Sequence, residues 1–415
     1  MRRPAAIVLA LGLLGAAACT PESPAPLRIG AVYPLSGTQG PGGVDEFHGV
    51  QVATQLVNAG GGVQGRQVRL VPVDVPGADA APGAIAALGR QGVDIVLGSY
   101  GSTISAPASA AAAERGMLFW ESGAVGEMSG QGAGSLVFRV SPNGSVLGRN
   151  AIDFIADRYA PVVGVDPSGL RFAVTLVDDA YGRGVAQGAL DEIAARGYTL
   201  ATTIAYDPNH VDMAALVRRL GASRPDVLFV AGYVDDSVAM RRQIVAQGLH
   251  LLAGIGTSSS YCMPRFGAAL GGEAVGLFAS DKPDADVLNP AALTPQGRAL
   301  FQRAEAAYEA RFEAPMSEAA LAGFSAAWAL LAEVLPVAED VTPAAIAAAA
   351  NAIQLPPGSL PNGSGLEFGD AGTATAGANL LALGVIEQWV APEQRAVVWP
   401  AAYATIPLER IDPLP

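Results

Sequence analysis

The chain has 415 residues, 51% hydrophobic and 15% charged, which excludes disorder and gives length enough for two domains with cores. Its net charge of −13 speaks against a nucleic-acid partner, because neutralising phosphates takes clustered Lys and Arg, and Lys282 is the one lysine present. Without a Gly-Lys pair there is no Walker-type phosphate loop either.

The chain opens with an address. Met1-Arg2-Arg3 is basic, Ile7–Gly15 is apolar, and Ala16-Ala17-Ala18-Cys19 closes the run. That is the layout of a secretory signal, too short to span a bilayer as a mature helix. A Cys behind three small residues resembles a bacterial lipobox, which implies lipidation of Cys19 and anchoring at the periplasmic or cell-surface face of a bacterial membrane. A plain Ala-x-Ala cleavage is the alternative. Residues 1–19 are read as signal and 20–26 (TPESPAP) as a flexible tether. The other cysteine, Cys262, then has no disulfide partner and is expected to be a half-buried bystander.

From Leu27 onward β-rich runs alternate with helix-period segments. LRIGAVYPL, RQVRLVPVD, VDIVLG and GMLFWES read as strands, and EFHGVQVATQLVNAG as a helix with Phe47, Val50, Ala53 and Val57 on one face. The rhythm restarts after Asn143. Helices are predicted over 145–159, 184–197, 209–220 and 235–247, and strands over 171–179, 199–206, 226–232 and 273–280. A Pro- and Asp-rich connection (DKPDADVLNPAALTP) leads to a helix through Glu313, a longer one over 317–335, and a third capped by Thr342 with Pro343 behind it. The tail reads as two strands around a turn at Ala391–Glu393. Two series of strand–helix units imply an α/β fold of two lobes, each a mostly parallel sheet flanked by helices.

Ligands of such sheets bind at the carboxyl ends of the strands. The loops there are PLSGTQGPGG (34–43), GSYGSTIS (98–105), ESGAVG (121–126), VDDAYGRG (177–184), AGYVDD (231–236) and GIGTSSS (254–260). They are rich in Gly, Ser, Thr and single tyrosines, a vocabulary for hydrogen bonding and ring contact rather than covalent chemistry. His48, His210 and His250 are far apart and lack Cys neighbours, so no zinc site is expected, nor any other cofactor. Gly323-Phe324-Ser325 lacks the second glycine of a nucleophile elbow, since Ala327 stands there.

These residues together resemble the leucine/isoleucine/valine-binding protein family, the type I periplasmic substrate-binding proteins of branched-chain amino-acid ABC transporters. LRIGAVYPLSG, the loop GSYGSTISAPAS, Asp178-Asp-Ala-Tyr-Gly-Arg-Gly184, Ala231-Gly-Tyr233 ahead of MRRQIVAQGL, and Gly365-Leu-Glu-Phe368 carry the likeness in order and spacing. The resemblance implies a clamshell with three crossovers, one lobe from 27–143 and 281–355, the other from 144–280 and 356–415. It implies a non-enzymatic, exported protein that captures a small polar ligand (a branched-chain or other amino acid, or a related amide, urea or carboxylate) and delivers it to permease subunits. A sensing module of the same fold is the alternative, and an exported hydrolase the remote one.

Residue by residue, the resemblance places Gly101, Ser102 and Thr103 on the ligand's carboxylate, at a helix start that suits an anion. It makes Gly123, Ala124 and Val125 a second carboxylate-binding turn, with Ser122 adding a hydroxyl. Tyr181 and Tyr233 reach in from the other lobe, unless they are ordinary core tyrosines. Two departures stand out. The family's acidic partner for an α-ammonium falls at Ser258, which is neutral, leaving Glu121, Asp235 or Asp236 to replace it or a ligand without an amino group. And Gly42 stands where a bulky cover residue is frequent, which suggests a roomier pocket.

Overall fold

The computed structural model describes residues 24–128 and 135–411. The signal, Cys19 and most of the tether lie outside these residues.

The first series of units builds a five-stranded parallel sheet. It contains β1 (Leu27–Tyr33), α1 (Gly40–Ala59), β2 (Val68–Asp74), α2 (Ala81–Arg90), β3 (Ile95–Gly98), α3 (Ser102–Ala113), β4 (Leu118–Glu121) and β5 (Val137–Arg139), in sheet order β2-β1-β3-β4-β5. β3 and β4 are buried along their whole length, as strands covered by helices on both faces must be.

The chain then crosses to a seven-stranded sheet. Asn143 caps α4 (Gly144–Phe154), and the expected helix to Tyr159 continues as a wider turn into α5 (Ala160–Val163). Next come β6 (Arg171–Val177), α6 (Ala180–Ala195), β7 (Thr199–Tyr206), α7 (Met213–Ala222), β8 (Val227–Ala231), α8 (Val234–Ala246), β9 (Ala253–Thr257), α9 (Pro264–Leu270) and β10 (Phe278–Asp281). α7 starts four residues later than predicted because Asp212, not Asn209, accepts the first-turn N–H, from Ala215.

Beyond Asp281 the chain returns to the first lobe with α10 (Pro295–Phe312), α11 (Glu318–Trp328) and α12 (Pro343–Ala352), the last capped by Thr342 as the sequence indicates. Leu300, Phe301, Phe324 and Ile346 share one core with Ile29, Leu97 and Trp120 of the five-stranded sheet. The stretch Glu318–Val337 is long and apolar enough to cross a membrane, but 72% of its most apolar window is buried against the protein's own core. α1 and α11 approach backbone to backbone: a methyl on Gly49 would lie 2.8 Å from both the Ala320 carbonyl carbon and the Phe324 nitrogen.

The last passage adds β11 (Val385–Ala391) and β12 (Gln394–Trp399) as the antiparallel hairpin read from the tail, giving β12-β11-β10-β9-β8-β6-β7. The expected boundary at 356 falls ahead of some contacts, since Leu360, Leu366 and Phe368 still pack in the first core and the Asn379 amide donates to the Val140 carbonyl. Two mostly parallel sheets flanked by helices, with three passages between them, form the expected clamshell architecture.

Candidate functional site

The two lobes meet at Gly126. A side chain there would press within 2.6 Å of Ser102 Cβ, at the start of α3, and 2.9 Å of the Ala180 carbonyl, at the start of α6. Loops from the carboxyl ends of both sheets therefore face one another across a narrow cleft.

On the first lobe, β3 ends in Gly98 and the chain turns through Ser99–Gly101 into α3. Gly101 has φ +87°, a conformation costly for a side chain, and its Cα lies against the Gln39 amide. First-turn N–H groups of a helix have no intrahelical acceptor, so those of Ser102 and Thr103 are available. Ser102 Oγ accepts the Gly126 N–H (2.8 Å) and Gln39 Nε2 donates to Thr103 Oγ1 (3.2 Å), while Gln39 Oε1 is buried without a partner.

The loop after β4 is held from beneath. Glu121 is 0% exposed; its Oε1 accepts the N–H groups of Gly123 (2.9 Å) and Ala124 (2.8 Å), and its Oε2 accepts the Ser105 hydroxyl. Arg139, also buried, donates to the carbonyls of Val125 (3.1 Å) and Gly126. Burial pushes the Glu121 carboxyl up and the Arg139 guanidinium down, and each charge partly offsets the shift of the other. The Ser122 hydroxyl donates to Glu46 Oε1 (2.5 Å) and its carbonyl accepts the Ser141 hydroxyl (2.8 Å). Burial, reinforced by the charge of Glu121, pushes the Glu46 carboxyl well up. Lys282, reaching over from the passage behind β10, donates to the Gly123 carbonyl (3.0 Å) and pairs with Glu318 (2.9 Å). Burial alone would lower the Lys282 ammonium, but Glu318 and Asp281 hold it above its ordinary value.

On the second lobe Tyr181 and Tyr233 form an aromatic wall, their ring centres 5.4 Å apart. Tyr181 is buried, and its hydroxyl reaches the Gly232 carbonyl (3.4 Å). The Tyr233 hydroxyl donates to Asp179 Oδ2 (2.6 Å), while Asp179 Oδ1 caps α6 through the Gly182 N–H (2.9 Å). Ser258 is buried just beyond β9. Cys262 is buried rather than half-buried, and burial pushes its thiol well up, so it stays protonated and unreactive.

Ten of the eleven residues singled out in the sequence lie on loops or helix starts at the carboxyl ends of strands, and Glu121 is the last residue of β4, but several are engaged differently from expectation. The Gly123 and Ala124 N–H groups point at Glu121, not into the cleft. The three acids considered as substitutes at Ser258 are all occupied. Glu121 buttresses the loop, and Asp236 accepts the Tyr206 hydroxyl and the Tyr233 N–H (3.0 Å). Asp235 is a surface acid facing Arg265 (3.1 Å). The space left by Gly42 is filled, because the Tyr100 ring lies directly on it: a methyl there would be 2.6 Å from Tyr100 Cε1. Sequence reasoning missed Tyr100, Arg139, Glu46 and Asp281. Only Arg139, a charge inside the apolar run VFRV, carried a visible signal.

Two open hollows elsewhere on the first lobe, of about 320 and 440 Å³, are lined by alanines near α12 and by Arg90 and Arg115, and none of their lining side chains carries an unpartnered buried polar atom. Unmet hydrogen-bonding capacity favours the cleft.

Comparison with known proteins places these features in context. The periplasmic binding protein family matches residues 26–382. Leu/Ile/Val-binding protein homolog 8 of Brucella abortus is 31% identical over 349 residues, 83% of this chain and 85% of that one. Among solved structures, a branched-chain amino acid transporter substrate-binding protein from Streptococcus pneumoniae in complex with isoleucine superimposes with a TM-score of 0.67 (17% identity, covering 90% of this chain and 100% of that one). A solute-binding protein from R. palustris in complex with benzoate gives 0.70 (19% identity, 93% and 99%).

Proposed function

Because the chain belongs to the periplasmic binding protein family, among relatives of the leucine/isoleucine/valine-binding type, we propose that it captures one small carboxylate-bearing solute between its lobes and presents it to an ABC permease. The observation that carries this is the α3 N-terminus, with two available N–H groups opposite the Tyr181–Tyr233 wall. The N–H groups of Ser102 and Thr103, with the helix dipole behind them, would take the carboxylate without an arginine. Gly101 lets the backbone approach. The two tyrosines, whose hydroxyls already have partners, would offer ring faces to the rest of the ligand, and Ser258 a neutral hydroxyl.

Contacts to both lobes exist only when they are together, so the ligand would shift the clamshell toward its closed form. No chemical step is proposed. Ser102 Oγ acts as an acceptor for a backbone N–H, and His48 is stacked on Phe312 at 3.8 Å. The carriage of this domain on a lipidated Cys19 outside the cytoplasmic membrane belongs to the same proposal.

A thermal-shift screen of the purified protein with amino acids, aliphatic and aromatic acids, amides and ureas tests it. A ligand that binds the folded state raises the melting temperature by mass action. If no carboxylate raises it while neutral amides or ureas do, the α3 N-terminus is not the anion site.

A further inference from the structure

The amino ends of the first lobe's strands, opposite the cleft, gather arginines. Arg28 on β1 and Arg69 on β2 stand side by side in register, and Arg66 precedes β2. Arg90 ends α2, and Arg115 lies two residues beyond α3. Positive charge at those helix ends answers the dipole, but on the strands it has no such role, and like charges on adjacent strands repel. Arg69, Arg90 and Arg115 are exposed, and the Arg69 and Arg90 guanidiniums have no partner among the described residues. Arg115 is 3.9 Å from the exposed Glu114, and Arg28 donates to the Gln91 carbonyl (2.8 Å). Arg90, Arg115 and Asp94 line one open hollow of about 440 Å³, yet no ion pair joins Asp94 to either arginine.

The tether leaves from the same end. Arg66 holds its last residues through the carbonyls of Ala25 (2.9 Å) and Pro26 (3.3 Å). From Cys19 to Ala25 an extended chain reaches about 20 Å at most, so a lipid on Cys19 keeps this end close to the bilayer. The acids here are Asp94, Glu114, Glu339 and Asp340. Gln64 ties the last two to this end by donating to the Leu335 and Ala338 carbonyls (3.1 and 3.0 Å). Five arginines over four acids leave the end positive on a chain whose net charge is −13. Val337, 67% exposed, adds an apolar side chain beside them.

We propose that this end of the first lobe rests on the anionic headgroups of the membrane that carries the anchor. The inference depends on lipidation of Cys19 and is separate from solute capture. Guanidiniums pair bidentately with headgroup phosphates, and the attraction reaches about one screening length, roughly 8 Å. The tether supplies proximity and the arginines supply orientation. The carboxyl ends of the strands, and the cleft with them, then face away from the bilayer.

The test uses the lipoprotein purified from bacterial membranes and set in vesicles of phosphatidylglycerol or of phosphatidylcholine. Phenylglyoxal, which adds to accessible guanidiniums, reports on each arginine through mass spectrometry of the peptides. Arg69, Arg90 and Arg115 should react roughly threefold or more slowly on phosphatidylglycerol than on phosphatidylcholine. The difference should vanish in 1 M salt, where the screening length is about 3 Å. Arg218, Arg219 and Arg224, equally exposed on the second lobe, should react alike on both vesicles. Arg90→Gln combined with Arg115→Gln, both exposed changes, should bring the two Arg69 rates together. Lipidated protein whose rates are equal on the two vesicles overturns the inference and leaves the anchor standing. So does slowing that the second-lobe arginines share, or that survives salt or the double substitution. If the mass of the purified chain shows no lipid on Cys19, the anchor falls and the inference falls with it.

Discussion

Replacing Glu121 separates a buttress from a ligand contact. Glu121→Ala removes the acceptor for two backbone N–H groups and one hydroxyl, all buried. Ala124 N–H and the Ser105 hydroxyl keep weaker second contacts to the Ser99 carbonyl (3.2 and 3.3 Å), so the Gly123 N–H is the donor left wholly bare. One orphaned donor costs about 1–3 kcal/mol, two weakened ones add about 1 kcal/mol together, and Arg139 loses the nearby charge that offsets its burial. The hydrogen-bond losses come to about 2–4 kcal/mol of folding stability, and the charge lost beside Arg139 adds to them. Glu121→Gln keeps one carbonyl oxygen for both N–H groups and gives up the charge, which should cost about 1–2 kcal/mol. Urea unfolding followed by circular dichroism reads both values. With a ligand from the thermal-shift screen, Glu121→Gln should bind within about threefold of the unaltered protein, because the cleft-facing groups stay in place. An unchanged urea midpoint in Glu121→Ala would refute this reasoning. So would a Glu121→Gln protein of normal stability that no longer binds, since that is how a direct ligand contact behaves.

Ser102→Ala and Tyr181→Ala should each reduce the ligand-induced rise in melting temperature; if both leave it intact, the ligand sits elsewhere. Gly49→Ala sets a methyl on the Ala320 carbonyl and should lower stability by about 1–3 kcal/mol or more, read from the urea midpoint, while an exposed Gly83→Ala should not. Burial pushes the Glu387 carboxyl up to about 8, against the opposing pull of Arg395. An acid raised on folding adds stability that is fully present below its ordinary 4.5 and lost as pH climbs through about 8, so the urea midpoint should fall between pH 5 and 8.5. Glu387→Gln should flatten part of that fall, and an unchanged slope would count against it.

Much of this was legible because the relevant signals are local. The alternation of buried strands with helix-period segments gave both sheets, and Thr342-Pro343 announced the start of α12. Loops at strand ends could be found by position alone, which is why Ser102, Tyr181 and Ser258 all fall just beyond the carboxyl ends of strands. What stayed hidden depends on long-range pairing. Nothing near Gly123 in sequence says that Lys282, 159 residues away, holds its carbonyl. Gly42 looked like empty space because the ring filling it belongs to Tyr100, in another loop. Asp281 reads as the first residue of a polar linker, and only the β9–β10 register brings it beside Ser258.

Lys282 is the chain's one lysine, and it is sealed between Gly123 and Glu318. Amine-directed reagents that decorate most protein surfaces therefore find no side chain to acylate on the described exterior of this one. The same lysine tethers the passage behind β10 to the first lobe, so hinge opening that breaks its contacts would expose it. Its rate of acylation would then report, at a single natural position and without an added label, the fraction of time the jaws stand apart.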